Sequence, residues 1–348
     1  MDSCGLHPVN FLDPSRLSRI LPVELPALLK SAVERILENQ PLDPLMKAAE
    51  RLSKRYRGEV RDGQLHISDE LAARAYLAAR LPATFAAVRA AMEMVTEIDP
   101  DFSPKSLVDL GSGPGTALWA AADCWPDLDQ AVLVEASPAI RAVGKTLSAA
   151  LPFACVWQAG DIIKAFPDLV KADLVTLAYV LDELPVDAVA SITQRLWALT
   201  EGTVIIVEPG TPAGWQRILT ARQTLIDAGA HVLAPCPHGQ SCPIVSPDWC
   251  HFARRVARSR LHRQVKQGEV PWEDEKYIFI AASRQPVASA GGARVLVPPR
   301  LARGMAKLKL CRPDGKVEET VISRRDGEVF KQARRADWGD LLVLEDDA

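Results

Sequence analysis

A glycine-rich turn between an apolar strand and a helix is the feature that most constrains the fold of this chain. The apolar run 106–110 predicts a strand, the turn at 111–115 holds three glycines, and the alanine-rich stretch 117–124 predicts a helix. Glycines in such a turn let the backbone pass close to a ligand where a Cβ atom would clash. A second apolar run ends at Glu135, whose carboxylate can accept hydrogen bonds from ribose hydroxyls. This arrangement predicts a site for a ribose-bearing cofactor.

Strand-like and helix-like segments alternate from 106 to 284, which predicts a parallel sheet with helices on both faces. We expect strands near 106–111, 131–135, 154–159, 173–180, 203–208, 230–234 and 276–282. Ligands of such sheets bind beyond the carboxyl ends of the strands, where this chain carries several acids. Those acids are Asp109, Glu135, Asp161, Asp182 and Glu208. Two or three of them are expected to hold the cofactor, and the others to cap helices or complete turns.

The amino-acid sequence of the glycine-rich turn resembles a known motif. The run Asp-Leu-Gly-Ser-Gly-Pro-Gly at 109–115 is similar to the first motif of class I S-adenosylmethionine-dependent methyltransferases, more than to the G-x-G-x-x-G turn of dehydrogenases. The resemblance implies S-adenosylmethionine as the cofactor and an α/β class I methyltransferase (Rossmann-like) fold with a seven-stranded sheet. The residues expected to contact the cofactor are Asp109, Gly111, Gly113, Gly115, Glu135, Asp161 and Asp182.

Four cysteines predict a metal site in the second half of the chain. Cys236, Cys242 and Cys250 follow a C-x5-C-x7-C spacing, and Cys311 lies about sixty residues further on. Four thiolates suit either a tetrahedral zinc ion or an iron–sulfur cluster. The C-x2-C pairs of common zinc ribbons are missing. The residues alone therefore predict a metal but do not choose which one.

Positive charge is concentrated near the cysteines and after them. Residues 251–335 contain 20 Lys and Arg against 9 Asp and Glu, although the whole chain has a net charge of −3. This asymmetry indicates that one end meets a polyanion. The segment 252–266 holds six of the cations and no acid, and we expect it to be a helix with a cationic face. The residues expected to bind RNA are Arg254, Arg255, Arg258, Arg263 and Lys266. An ordinary amphipathic helix is the alternative.

Beyond residue 285 the pattern changes to short alternating runs, at 294–297, 306–310, 317–323 and 328–333. These runs predict a small antiparallel β unit. Cys311 on its second strand would join this unit to the cysteine-rich insert through the shared metal. The expected organisation is an N-terminal helical region (1–104), a methyltransferase-like domain (105–284) with a cysteine-rich insert (235–272), and a basic C-terminal β unit (285–340).

Several short motifs of the sequence resemble those of one protein family. Three segments carry the resemblance: the run from Cys236 to the Glu-Asp-Glu-Lys-Tyr motif at 273–277, Arg-Tyr-Arg at 55–57, and Arg-Leu-Pro-Ala-Thr at 80–84. They are similar to segments of the mitochondrial small-ribosomal-subunit methyltransferase-like assembly factors and their bacterial relatives. The likeness covers about residues 50 to 335. It implies a 4Fe–4S cluster on Cys236, Cys242, Cys250 and Cys311, and a role on small-subunit rRNA. Zinc on the same thiolates stays the alternative.

The sequence leaves the catalytic residues unknown, because it has no N/D-P-P-Y/F motif for binding a target amino group. We favour a small-subunit assembly factor that binds rRNA, S-adenosylmethionine and an iron–sulfur cluster. The alternative is an active rRNA methyltransferase. A small-molecule methyltransferase would leave the basic region unexplained.

The expected partners are the small ribosomal subunit and its rRNA, with the chain monomeric off the ribosome. No run of eighteen apolar residues is present, so no membrane-spanning helix is expected. The first five residues resemble neither a secretory nor an organelle-targeting signal, which predicts a cytoplasmic location.

Overall fold

Helices dominate the region before the first strand. The computed structural model describes residues 21–58, 65–163, 168–287 and 291–343. Its first helices are α1 (Ala27–Leu37), α2 (Leu42–Arg57), α3 (Glu70–Ala79) and α4 (Leu81–Ile98). Helix α3 begins after Asp69, whose carboxylate accepts a hydrogen bond from the Ala72 amide at 2.8 Å. The predicted helical character of this region is confirmed in its described part.

An eight-stranded sheet forms the centre of the molecule. Its strands are β1 (Ser106–Leu110), β2 (Gln130–Glu135), β3 (Ala154–Ala159), β4 (Ala172–Ala178), β5 (Thr200–Pro209), β6 (His231–Ala234), β7 (Phe252–Ala257) and β8 (Trp272–Ser283). The helices between them are α5 (Thr116–Cys124), α6 (Pro138–Ser148), α7 (Ala188–Leu199), α8 (Pro212–Asp227) and α9 (Arg260–Lys266).

The strand order is β3-β2-β1-β4-β5-β8-β6, and β7 pairs with β8 outside this path. Strands β1 to β5 pair in parallel, and β8 runs antiparallel to both β5 and β6. The central strands are buried on both faces, which explains their nearly continuous apolar runs. This topology confirms the predicted class I methyltransferase fold, with one strand more than the seven expected.

The additional strand is β7, in the segment expected to be a basic helix. Phe252 to Ala257 pair antiparallel with Tyr277 to Trp272 of β8. Burial alternates along β7, because Phe252, Arg254 and Val256 are buried. The helix starts only at Arg260, where the Ser259 hydroxyl accepts a hydrogen bond from the His262 amide at 3.1 Å. The predicted single helix over 252–266 is therefore wrong.

A smaller antiparallel sheet forms the C-terminal unit. Its elements are β9 (Ala293–Val295), β10 (Arg300–Ala302), β11 (Met305–Cys311), β12 (Val317–Ser323), α10 (Gly327–Arg335) and β13 (Leu341–Leu342). The run 328–333, expected to be a strand, is part of α10. Phe330 and Ala333, three residues apart on this helix, are buried against the apolar face of the sheet. That period of three belongs to a helix.

Two apolar cores support this organisation. The larger core joins α1 to α4 with the central sheet, and the smaller one lies inside the C-terminal unit. Cys311 belongs to the larger core although it ends a strand of the smaller sheet. The predicted domain boundaries stay predictions. In the described part of the chain, no helix is long and apolar enough to cross a membrane.

Candidate functional site: a cofactor cavity and a cysteine cavity

A cavity of about 200 Å³ opens at the carboxyl ends of β1, β2 and β4. Five of the seven residues expected to contact the cofactor line it. These are Asp109, Gly111, Gly113, Glu135 and Asp161. Gly115 and Asp182 do not line it. The cavity therefore lies where the sequence predicts it, and two of the seven predicted residues are not part of its lining.

The three glycines of the turn have different tasks, although all adopt positive φ. A Cβ atom on Gly111 would lie 2.6 Å from Val180 Cγ2, so this glycine is required by packing. A Cβ atom on Gly115 would lie 3.4 Å from the Trp157 ring, and Gly115 precedes the first turn of α5. A Cβ atom on Gly113 would meet nothing within 4 Å. Gly113 thus keeps free space on the cavity side.

Glu135 is held in place by backbone amides. Its Oε2 accepts a hydrogen bond from Gly113 N at 2.8 Å, and its Oε1 accepts one from Ser137 N at 2.7 Å. Burial raises the pKa of Glu135, and these two hydrogen bonds oppose that rise. A carboxylate oxygen can accept more than one hydrogen bond. The fixed carboxylate therefore still has capacity for ribose hydroxyls.

Asp109 is a buried acid with one engaged oxygen. Its Oδ1 accepts a hydrogen bond from the Thr176 hydroxyl at 2.6 Å. Its Oδ2 has no hydrogen-bond partner among the described residues, and the side chain lines the cavity. Burial raises the pKa of Asp109 to about 7. A buried oxygen without a hydrogen-bond partner destabilises the fold unless a ligand or a water molecule donates a hydrogen bond to it. The free Oδ2 of Asp109 therefore indicates that the cavity binds a polar ligand.

Asp182 does not line the cofactor cavity, and its role in cofactor binding stays a prediction. Asp182 is buried in a short 3₁₀-helix, Leu181–Glu183, and its charge helps to raise the pKa of Glu208. Glu208 in turn accepts hydrogen bonds from Leu181 N at 3.0 Å and Arg217 Nε at 2.9 Å. Glu208 thus joins the end of β5 to the segment that follows β4. The neighbouring Glu183 lines the cavity in place of Asp182.

One wall of the cavity comes from residues that the sequence did not single out as a site. They are Tyr56, His66, Tyr76, Arg80, Tyr179 and Glu183. Glu183 Oε1 lies 3.4 Å from His66 Nδ1, and burial raises the pKa of Glu183 to about 8. The Arg80 guanidinium lies 5.7 Å from the Tyr56 ring centre and 5.9 Å from that of Tyr179. This wall therefore combines aromatic rings with titratable groups.

The four cysteines line a second, smaller cavity together. Cys236, Cys242, Cys250 and Cys311 all border it, as does His238. Cys311 Sγ lies 3.5 Å from His238 Nε2. Burial, followed by the proximity of the other thiols, raises the pKa of Cys250 and raises that of Cys311 to about 12. In the absence of a positive ligand, these thiols would stay protonated.

Two buried arginines, Arg222 and Arg294, line the cysteine cavity. Arg222 Nη2 donates hydrogen bonds to the carbonyls of His238 at 2.8 Å and Gln240 at 2.7 Å. Arg294 donates to the carbonyl of Pro235 at 2.9 Å and to that of Gly339 at 2.8 Å. Their charges act to lower the pKa of Cys311. The cavity therefore offers positive charge to an anionic group.

The four cysteines share a cavity. Within the residues that the structure describes, no group of three or more His, Cys, Asp or Glu side chains is arranged to hold a metal ion. The four-cysteine metal set therefore stays a prediction.

The cations expected to bind RNA are mostly paired within the protein. Arg254 is buried and lies 3.4 Å from Glu93 of α4, and Arg255 pairs with Asp274 at 2.9 Å. Arg258 and Lys266 share the Glu273 carboxylate, at 2.7 and 2.6 Å. Arg263 lies in the last turn of α9. Four of these five cations are therefore paired with carboxylates, and Arg254 is also turned into the core by β7. Their role in RNA binding stays untested.

The fold and the two cavities define a class of protein: a class I methyltransferase fold with a second cavity lined by cysteines. Comparison with known families then gives the particular family. The model described as "Mitochondrial small ribosomal subunit Rsm22" matches residues 70–343. The chain belongs to this family, as the sequence resemblance predicted.

The curated relatives agree with the family. The human "Ribosome assembly protein METTL17, mitochondrial" is 30% identical over 286 residues, which cover 77% of this chain and 62% of that protein. The "Rsm22-cox11 tandem protein 2, mitochondrial" of Schizosaccharomyces pombe is 21% identical, covering 78% of this chain and 43% of that protein. The chain thus spans less than two thirds of the length of these relatives.

These relatives contradict the predicted cytoplasmic location. The relatives and the family model are named as mitochondrial proteins, and these names indicate the mitochondrion as the location. The cytoplasmic prediction depended on the missing targeting pattern at the first residues, which lie outside the described ranges.

Solved structures with related folds are distant. The magnesium protoporphyrin IX methyltransferase of Synechocystis, solved with bound SAM, has 14% identity and a TM-score of 0.40, covering 71% of this chain and 100% of that chain. An O-methyltransferase family protein from Burkholderia thailandensis has 15% identity and a TM-score of 0.41, covering 70% and 71%. Likenesses at this level say nothing about function.

Proposed function

We propose that this chain is a mitochondrial small-ribosomal-subunit assembly factor that binds rRNA and carries both S-adenosylmethionine and a 4Fe–4S cluster. The observation that carries the proposal is the extent of the family match, 70–343, which includes most of the cofactor cavity, the whole cysteine cavity and all four cysteines. The human relative is named a ribosome assembly protein, and the family model is named for the mitochondrial small subunit.

Cosedimentation tests this proposal directly. The tagged chain should migrate in sucrose gradients with small-subunit particles and should be depleted from the large-subunit fractions. Assembly factors leave finished particles, so precursors should carry more of the chain than mature subunits do. A chain that stays at the top of the gradient, with its iron and fold intact, would refute the assembly role.

The cofactor cavity fits S-adenosylmethionine in three respects. The space beside Gly113 would admit the ligand, Glu135 would accept hydrogen bonds from ribose hydroxyls, and the unsatisfied oxygen of Asp109 would bond to another polar group. Asp161 borders the same cavity, where it would meet the adenine end. When bound, the cofactor supplies an activated methyl group. Calorimetric titration with S-adenosylmethionine should give one site per chain, and no heat of binding would remove this part of the proposal.

The charges around the cysteine cavity fit a metal–thiolate group. Four thiolates around a core of charge 2+ leave two negative charges, whether the core is zinc or an oxidised 4Fe–4S cluster. Arg222 and Arg294 are 3% and 2% exposed, and they place two positive charges beside the cavity. Arg222 forms no ion pair with a carboxylate in the described ranges. A buried cation without a counter-charge costs several kcal/mol, so an anionic group here would stabilise the fold.

We favour the cluster over zinc because the C-x2-C pairs of common zinc ribbons are missing from the sequence. A zinc ion would be held by all four sulfurs at about 2.3 Å. A cluster would take each thiolate on a different iron. Protein purified without oxygen should contain four iron and four acid-labile sulfide atoms per chain, about the stoichiometry of one cluster. One zinc per chain and no iron would replace the cluster by the alternative ion.

A second function, methyl transfer to rRNA, is favoured by one observation. The Glu183–His66 pair lines the cofactor cavity, and a carboxylate with a pKa of about 8 could take a proton near neutral pH. Small subunits from cells lacking the gene should then gain label from radioactive S-adenosylmethionine, and a Glu183→Gln variant should not transfer it. Unlabelled rRNA, despite measurable cofactor and subunit binding, would leave the assembly role alone.

A further inference from the structure

The C-terminal unit carries a set of exposed arginines that form no ion pair in the described part of the chain. They are Arg300, Arg303, Arg324, Arg325, Arg334 and Arg335. The segment 254–266 shows the opposite behaviour, because most of its cations have carboxylate partners.

The carboxylates of this unit are already engaged by other cations. Residues 291–343 hold 12 Lys and Arg against 7 Asp and Glu. The acids with partners form the pairs Lys307–Glu319, Arg312–Glu318, Lys316–Asp314 and Lys331–Glu328. Asp326 is bonded to the Ser323 amide and hydroxyl at the start of a 3₁₀ turn. The unpaired arginines therefore have few acids left in their own unit.

Four of these arginines lie at one end of the small sheet. Arg303 and Gly304 form the turn between β10 and β11, and the Arg324 amide donates a hydrogen bond to the Gly304 carbonyl at 3.1 Å. A Cβ atom on Gly304 would lie 3.5 Å from Arg324 Cδ, so the Arg324 side chain crosses this turn. Arg325 follows Arg324, and Arg300 lies on β10 opposite Lys307. We call Arg300, Arg303, Arg324 and Arg325 the arginine end.

Large apolar side chains accompany the arginine end. Met305 and Val321 are 48% and 56% exposed, and they lie on the face of the small sheet that also holds Arg300, because Lys307 pairs with both Arg300 and Val321. Helix α10 covers the other face of the sheet, because Phe330 packs with Ala306 and Leu308. A cationic surface with apolar side chains between the charges suits a ligand that has phosphates and sugar or base surfaces.

We propose that the arginine end is the surface through which this protein binds the phosphate backbone of rRNA. The inference rests on the proposed function for the identity of the RNA, but it assigns the contact to residues outside the segment 254–266. Guanidinium groups match phosphate oxygens in a bidentate geometry, and an unpaired arginine need not first give up a carboxylate partner. Phosphate contacts of this kind supply most of the affinity of proteins for nucleic acids.

The test measures the salt dependence of binding to deproteinised small-subunit rRNA, at about 50 to 200 mM KCl. The variant carries Arg300→Gln, Arg303→Gln, Arg324→Gln and Arg325→Gln. Each phosphate contact contributes about 0.7 to the slope of log K against log salt for single strands, so the slope should fall by about 3. The reason is the loss of four phosphate contacts.

A matched control removes the same charge from exposed lysines that have carboxylate partners: Lys30→Gln, Lys54→Gln, Lys316→Gln and Lys331→Gln. Its slope should change by less than about 1, because these cations contact no phosphate. A second variant with lysine at all four positions of the arginine end should keep most of the slope. Circular dichroism melts verify that each variant folds.

The outcomes separate this inference from the proposed function. If the unmodified protein does not bind rRNA, the rRNA part of the proposed function fails, and this inference fails with it. If it binds and the glutamine variant keeps its slope, the arginine end is overturned while the proposed function stands. If the variant loses binding to whole small subunits but the unmodified protein ignores bare rRNA, the partner is an acidic ribosomal protein, and the assignment to RNA is overturned.

Discussion

Replacing Gly113 by alanine would test the cofactor cavity with a single methyl group. Gly113 has φ of +55° and lines the cavity, and a Cβ atom there meets nothing within 4 Å. The folded protein should therefore lose only the backbone cost of a left-handed alanine, about 1–2 kcal/mol. The methyl group would occupy space that the cofactor needs. Overpacking of that kind costs about 1–3 kcal/mol, which is about a 5- to 150-fold weaker Kd.

Gly229 offers a matched control for this experiment. Its φ is +81°, a Cβ atom there also meets nothing within 4 Å, and it lies after α8, away from the cofactor cavity. Gly229→Ala should lower Tm by about as much as Gly113→Ala, some 2–4 °C for each kcal/mol, and should leave the Kd for S-adenosylmethionine unchanged.

Calorimetric titration with S-adenosylmethionine and a thermal melt are enough to compare the two variants. The expected result is equal loss of Tm with a weakened Kd for Gly113→Ala alone. Equal Kd values for the two variants would mean that no ligand approaches Gly113, and the reasoning from the open space would be refuted.

Three further changes probe other parts of the account. Arg222→Leu should lower the iron content of anaerobically purified protein and hasten its loss to a chelator, because a buried positive charge beside the thiolates disappears; unchanged iron would argue against charge balance. Phe330→Ala should cost the C-terminal unit about 3–5 kcal/mol and speed amide exchange in β11, while exchange in β4 stays slow. The pKa of Glu183 rises from 4.5 to about 8 on folding, so the unfolding free energy should fall as pH rises through this window. Glu183→Gln should flatten that part of the pH profile measured by urea titration, and an unchanged profile would exclude Glu183 as its source.

Local sequence patterns were enough to predict the cofactor side of the fold. The path from β1 through the glycine turn to α5 depends on neighbouring residues and on positive φ angles that glycine adopts readily. Glu135 follows because it ends the next parallel strand, and parallel strands bring their carboxyl ends to one edge. The four cysteines, grouped by their spacing and by the family resemblance, line one cavity, and their role as metal ligands stays a prediction.

Long-range pairing explains the errors. Strand β7 forms because β8 pairs with it along its whole length. The burial of the Arg254 charge is tolerated because Glu93 of α4 forms an ion pair with it. No local signal in 252–266 reports either partner. Glu183 rather than Asp182 lines the cofactor cavity, and this depends on the phase of a single 3₁₀ turn, which the sequence does not determine.

The aromatic wall of the cofactor cavity was missed for a related reason. Tyr56 and Tyr76 come from helices that precede the sheet and carry no catalytic spacing. They reach the cavity because α2 and α3 pack within the same core as the central sheet. Only the tertiary arrangement shows that these helices complete the site.

The ratio of small to large ribosomal subunits in cells lacking this gene tests the central claim most directly. An assembly factor predicts a lower ratio, with small-subunit precursors accumulating, and recovery when the unmodified chain is restored. An unchanged ratio and normal small subunits, measured in the same gradients, would contradict the assembly role.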